Sequence, residues 1–254
     1  IRSYHPGAAS WRAAALRAVA TRVGRGPRIR YRALTEHTAV TNAAALGVPT
    51  ARIRVIPRGV DTSRTYRPPA APPPRPLVVN VGRQTAQKGH EHLVDAFERV
   101  AIRFPEAELW ILGRKGERSE VLAARIAASV AGERIRLLGY RPDALDLVAA
   151  ADVFAFPSLM EGLGTAVLEA MAAGVPVVAF DIPPVREITD DGRVAVLVPV
   201  GDGDALAEAI LHLLADDVER TRLVRAARDH VTSTFAIDGI ARRVQAYLEE
   251  VAAS

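Results

Sequence analysis

Residues 153 to 180 place the tightest constraint on the fold. Val153-Phe154-Ala155-Phe156 is a short apolar run that stops at Pro157, the pattern of a buried strand entering a loop. Thr165 to Ala173 is dense in Ala, Leu, Met and Glu and predicts a helix, which Gly174-Val175-Pro176 stops ahead of a second apolar run, Val177-Val178-Ala179-Phe180. Strand, helix and strand make a βαβ unit, and parallel strands joined in this way need helices covering the sheet. The loop within the unit carries the chemistry. Glu161-Gly162-Leu163-Gly164 falls where the helix begins, so two glycines let backbone N–H groups approach a ligand at the positive end of a helix dipole. That suits an anion, most often phosphate. Glu161 and Glu169 bracket the start of the helix and suit hydroxyls on either side of the anion, as sugars supply. The plain alternative is an Ala-rich helix with surface glutamates after a glycine turn.

The same alternation runs on both sides of this unit. Apolar runs at Leu77–Val81, Glu108–Leu112, Ile135–Leu138 and Val194–Val198 read as strands, and Glu91–Arg103, Glu117–Ala131 and Asp143–Ala150 as helices between them. Leu93, Ala96, Phe97, Val100 and Phe104 recur at helical spacing on one face. Further helices start at Asp204, Asp217 and Ile237. The expected fold class is α/β, a doubly wound parallel sheet, with the ligand crevice at the carboxyl ends of the strands. Arg67 to Pro76 holds six prolines, which can enter neither a helix nor a central strand, and reads as a stiff linker. Ahead of it, Ile1-Arg2-Ser3-Tyr4-His5 reads as a strand end, Trp11–Val23 as a helix, Tyr31–Leu34 as a strand and Glu36–Leu46 as a helix stopped by Gly47. Ile53 to Asp61 reads as a strand running into a turn.

Other signals limit the function classes. The 254 residues suffice for one large domain or two small ones. With no cysteine the chain has neither disulfides nor thiolate metal sites, which is consistent with a reducing compartment, so a cytoplasmic protein is expected. The chain begins at Ile1 without a leader pattern and reads as the interior of a longer protein. Residues 1 to 60 are strongly arginine-rich, which leaves open peripheral contact with an anionic membrane. No aromatic interleaving or nucleic-acid motif accompanies the arginines, so specific nucleic-acid binding is not expected. No G-x-x-x-x-G-K loop, G-x-S-x-G elbow or H-E-x-x-H helix occurs. Gly82-Arg83 and Gln87-Lys88-Gly89 follow the strand Leu77–Val81, placing two cations where the crevice is expected.

Taken in order, Gly82-Arg83, Lys88-Gly89, Glu161-Gly162-Leu163-Gly164, Glu169-Ala170-Met171-Ala172 and Gly174-Val175-Pro176-Val177 resemble the motifs of retaining GT-B glycosyltransferases of the large family-four group. The resemblance implies a hexosyl transfer from a UDP-, GDP- or ADP-sugar to an unknown acceptor, with no metal and no cofactor beyond the donor substrate. It gives Arg83 and Lys88 the donor's diphosphate, Glu161 the transferred sugar and Glu169 the ribose. Gly82, Gly162, Leu163, Gly164 and Thr165 complete the donor site, and Tyr140-Arg141 border the nucleotide base. His5 matches a first-domain histidine near the sugar, which puts it with Glu161, Arg83 and Lys88 in the catalytic set.

The implied domains are 1–62, part of an acceptor-side Rossmann-like domain; 63–76, the linker; 77–233, the donor-binding domain; and 234–254, a closing helix. Ile56-Pro57-Arg58-Gly59-Val60-Asp61 departs from the family pattern at Arg58, and Asp181-Ile182-Pro183-Pro184 stands where two glycines are common. A sugar-nucleotide epimerase of the same fold and a non-catalytic sugar-nucleotide-binding module are the alternatives. On its own, this stretch is expected to bind donor nucleotide and to transfer sugar at a negligible rate.

Overall fold

The computed structural model describes Gly26 and residues 29–67 and 76–253. The helix expected at Trp11–Val23, His5, and the proline-rich 68–75 lie outside the described residues. A small two-stranded parallel sheet comes first. Strand β1 (Tyr31–Ala33) pairs with β2 (Ile53–Val55) around helix α1 (Glu36–Leu46). Thr35 and Thr38 form a reciprocal capping box at the start of α1, and Gly47, at φ 63°, ends it in the left-handed conformation that glycine adopts without strain.

The second half is a six-stranded, all-parallel sheet. Its strands are β3 (Leu77–Val81), β4 (Glu108–Leu112), β5 (Ile135–Gly139), β6 (Val153–Phe156), β7 (Val177–Phe180) and β8 (Val196–Val198), in spatial order β5-β4-β3-β6-β7-β8. The chain winds outward from β3 to β5, then returns to lay β6 on the other side of β3. The carboxyl ends of β3 and β6 therefore flank the point where the winding reverses, which is where open α/β sheets hold their ligands. Every residue of β6 and β7 is buried, as strands covered on both faces require.

Alternate residues serve opposite faces. Val79, Phe154, Phe156 and Ala179 join the core on one side, and Val78, Val153, Ala155, Val178 and Phe180 the core on the other. Helices α2 (His90–Arg103), α3 (Ser119–Ala127), α4 (Ala144–Ala149), α5 (Thr165–Ala173), α6 (Pro183–Ile188), α7 (Gly203–Ala215) and α8 (Asp217–Phe235) accompany the sheet, and α9 (Ile237–Ala252) follows.

Three details differ from the sequence reading. The helix expected over Glu117–Ala131 covers only Ser119–Ala127, because Gly132–Arg134 closes into a separate 3-10 turn before β5. Pro183-Pro184, marked in the sequence only as a departure from a glycine pair, opens α6, since proline is tolerated where helix N–H groups have no partner. Gly59 is required by proximity. A Cβ there would meet the Ile237 backbone at 2.6 Å, where Val60 and Ile237 exchange backbone hydrogen bonds with Phe235 and Val60, each at 2.9 Å.

Candidate donor-binding crevice

The crevice is lined by the loop after β3 on one side and the loop after β6 on the other. Gly82 is buried, and Leu112 accepts its N–H at 2.8 Å. The stem of Lys88 lies over Gly82, with Cγ and Cδ 3.4 Å from where a Cβ would stand. Gly89, at φ 61°, begins α2 and approaches the neighbouring loop so closely that a Cβ would meet the Pro157 carbonyl at 2.1 Å. Leu159 N–H donates to the Gln87 carbonyl at 2.8 Å, so the two loops are joined through their backbones.

From this junction Lys88 Nζ pairs with Glu161 Oε1 and stands 5.3 Å from the centre of the Phe156 ring. The two side chains are 18% and 13% exposed, so this ion pair is far better shielded than an ordinary surface pair. The cation read as a diphosphate ligand and the carboxylate read as a sugar ligand thus meet at one spot, 73 residues apart in sequence. Arg83 is exposed, and its guanidinium makes no hydrogen bond to another described residue; the Glu117 carboxyl nearby is held low mainly by the Ala86 N–H that it accepts, with a small contribution from the Arg83 charge.

Beneath Lys88 lies a buried polar pair that the sequence reading missed. Asn80 Nδ2 donates to the Ala155 carbonyl at 2.8 Å, and Asn80 Oδ1 is 3.0 Å from His90 Nε2. Burial, helped by the nearby Lys88 charge, pushes the His90 imidazole down to about 4, so it is neutral at ordinary pH. As Asn80 Oδ1 is an acceptor, neutral His90 carries its proton on Nε2 and donates it there. The signal was present: Asn80 is the one polar residue of Leu77-Val78-Val79-Asn80-Val81.

Gly164, at φ 91°, is the residue from which α5 starts, with Thr165 its first helical residue, and Leu163 is buried against the core. Around Gly162 the space is open, since a Cβ there would meet nothing within 4 Å. One turn along α5, Glu169 is half-buried. Its carboxyl is raised by desolvation, with the charges of Arg58 and Arg64 opposing the shift. Arg58 precedes the linker and Arg64 lies at its start, so chain outside the large sheet lends charge to this side of the crevice. Arg58, where the sequence departs from the family pattern, is exposed, and its charge acts on the carboxylate read as the ribose ligand.

The residues expected at the nucleotide base lie further out. Strand β5 is two strands from β3, about 10 Å laterally. Tyr140 is exposed under the Arg114 guanidinium, 4.7 Å from ring centre to Cζ, whereas Arg141 is engaged by Asp143 through two hydrogen bonds of 2.7 and 2.6 Å. Among the described residues, no group of three or more His, Cys, Asp and Glu side chains could hold a metal ion. No helix among them is long and apolar enough to cross a membrane.

Residues 62–230 match the family described as glycosyl transferases group 1. The chain belongs to that family. It is 32% identical over 204 residues to the lipopolysaccharide core biosynthesis glycosyltransferase LpsE of Rhizobium meliloti, covering 79% of this chain and 58% of that protein. Against the phosphatidyl-myo-inositol mannosyltransferase of Mycobacterium leprae the identity is 38% over 206 residues, covering 78% of this chain and 54% of that one. The chain thus spans a little over half the length of these relatives. Its fold is that of GT-B glycosyltransferases. The Anabaena protein HepE, solved in complex with UDP and glucose, superposes with a TM-score of 0.82 at 23% identity, covering 92% of this chain and 66% of that one.

Proposed function

We propose that this family member carries the donor side of a retaining, metal-independent glycosyltransferase that moves a hexosyl group from a nucleoside-diphosphate sugar. The observation that carries the reading is the meeting of Lys88, Glu161 and the start of α5 at the sheet's reversal point. Lys88 and Arg83 would face the diphosphate, whose negative charge grows as the glycosidic bond breaks; fixed cations stabilise that charge. Glu161 would accept hydrogen bonds from sugar hydroxyls and Glu169 from the ribose. Residues 77–233 then form the donor domain, 1–62 part of the acceptor side, 63–76 the linker and 234–254 the closing helix. The base stays open among uridine, guanosine and adenosine, since one relative is named as a mannosyltransferase and one structural neighbour was solved with UDP and glucose.

Calorimetry with UDP, GDP and ADP, each beside its free nucleoside, tests the reading. Losing a charge-assisted contact in Lys88→Ala should weaken diphosphate binding about tenfold or more and leave the nucleoside nearly unchanged. Glu169→Ala should weaken both, and Glu161→Ala neither. Equal losses for diphosphate and nucleoside in Lys88→Ala would reject the assignment.

A further inference from the structure

Helix α6 touches both halves of the molecule. On its buried side, a Cβ built on Gly164 would stand 3.3 Å from Ile188 Cδ1 and 3.4 Å from Val185 Cγ2, so α6 backs the loop Glu161–Gly164. On its exposed side, Glu187 reaches the start of α1, where its two carboxylate oxygens accept the N–H groups of Glu36 at 2.7 Å and His37 at 2.8 Å. These donors belong to the first turn of α1, which has no partners within its own helix, and they sit at the positive end of its dipole. Thr35, the residue that caps α1, donates its hydroxyl to the Gly162 carbonyl at 3.3 Å while accepting the Thr38 N–H at 3.1 Å. The start of α1 is therefore held at two points, by Glu187 on α6 and by the loop that α6 supports.

We propose that Glu187 is a positioning residue for sugar transfer: by capping α1 from the large half, it seats the first half of the chain on the Glu161–Gly164 loop. This rests on the reading of that loop as the sugar site. Folding of α1 does not depend on the contact: Thr35 and Thr38 satisfy each other's N–H groups, and those of Glu36 and His37 lie at an exposed helix start where water can replace the carboxylate. Glu187 and the α1 terminus are both exposed, so the contact is individually modest and reversible. It weights the arrangement of the two halves and leaves the core of either half alone. Alignment of that kind acts on the reacting geometry, where a displacement of about 1 Å can cost on the order of a hundredfold in rate.

Steady-state transfer by the full-length protein, from whichever nucleoside-diphosphate sugar it turns over, tests the role in Glu187→Gln, Glu187→Lys and Thr35→Val. Glu187→Gln keeps one acceptor oxygen and loses the charge, so kcat should fall about three- to tenfold. Glu187→Lys brings a cation to the positive helix end and should cost more. The dissociation constant of the nucleoside diphosphate should stay within about twofold in both, as should the donor KM. Thr35→Val should act in the same direction, and the double variant should lose less than the product of the single losses. A lowered melting temperature with full kcat, or a parallel loss of nucleoside diphosphate binding, would show a structural or donor-binding role and overturn the proposal. Wild-type protein that transfers no sugar from any donor would overturn the function and this role together; active wild type with fully active Glu187→Gln overturns this role alone.

Discussion

The six-stranded sheet and the two-stranded sheet both consist of parallel strands with a covering helix, yet they are secured by different physics. Around the large sheet, Phe97, Phe154, Phe156 and Phe180 and most strand residues have essentially no exposed surface, and two apolar layers close on opposite faces. The small sheet buries Ala33, Ala39, Ala43, Val48 and Ile53, small side chains for the most part. Polar contacts tie it to the rest of the chain: Tyr247 Oη to the Tyr31 carbonyl at 2.9 Å, Arg54 to Glu250 at 2.8 Å, and Glu187 to α1. Apolar burial acts through area and resists displacement, whereas exposed polar contacts are worth little each and exchange readily with water. The junction of two such regions has one side set by a core and one set by adjustable contacts.

The largest test of this contrast is in the cores. Phe154→Ala should lower global unfolding stability by about 3–5 kcal/mol, read by denaturant titration, whereas Ile53→Val should cost about 0.5–1.5 kcal/mol. The Ile53 change should show mainly as faster proteolysis within residues 29–60. Equal sensitivity of both regions to both variants would break the contrast.

Acid gives the next effect. His90 is neutral when folded, and the unfolded chain takes up its proton below pH 6.5, so stability falls as pH drops from 6.5 through about 4. Over that interval the loss amounts to about 3 kcal/mol. His90→Gln should flatten this part of the pH profile of the unfolding midpoint, and a profile unchanged by the substitution would mean that the site is not sealed.

Smaller still is the tether at α9. Tyr247→Phe removes one hydrogen bond and should cost about 0.5–1.5 kcal/mol, confined to proteolytic opening of residues 29–60. A comparable fall in the midpoint of the large sheet would mean that the two halves unfold as one.

Glu169 sharpens the comparison at the point where the halves share charge. Its carboxyl is raised by desolvation, so the folded state holds the proton to higher pH, and stability falls as pH rises through the raised value. Glu169→Gln should therefore raise the melting temperature slightly at neutral pH while weakening nucleotide binding, and a lowered melting temperature would count against burial as the cause.

The sequence made the large sheet legible because strands covered on both faces must read as unbroken apolar runs, as Val153–Phe156 and Val177–Phe180 do. Gly82, Lys88, Glu161 and Gly164 were legible for a related reason: glycines and charges at strand ends stand out against apolar neighbours. What escaped was long-range contact between a side chain and the backbone. Glu187 capping α1 joins residues 150 and 151 positions apart and leaves no periodic trace. Gly59 could be read as a turn glycine, because its actual constraint is a helix start that arrives 178 residues later. Arg141 was expected to border the base, and its two-point pairing with Asp143, only two residues on, went unread because it leaves no periodic trace either.

The junction of the two crevice loops has a kinetic consequence. The Leu159 amide, bonded to Gln87 across the crevice, and the Gly82 amide, bonded to Leu112, can meet solvent only when backbone contacts of the large half open. The amides of Glu36 and His37 are held by a side chain alone and are released whenever the Glu187 carboxylate swings away. Hydrogen–deuterium exchange should accordingly separate slow amides in the two crevice loops, which need backbone contacts to open, from fast amides at the start of α1, which need only side-chain motion.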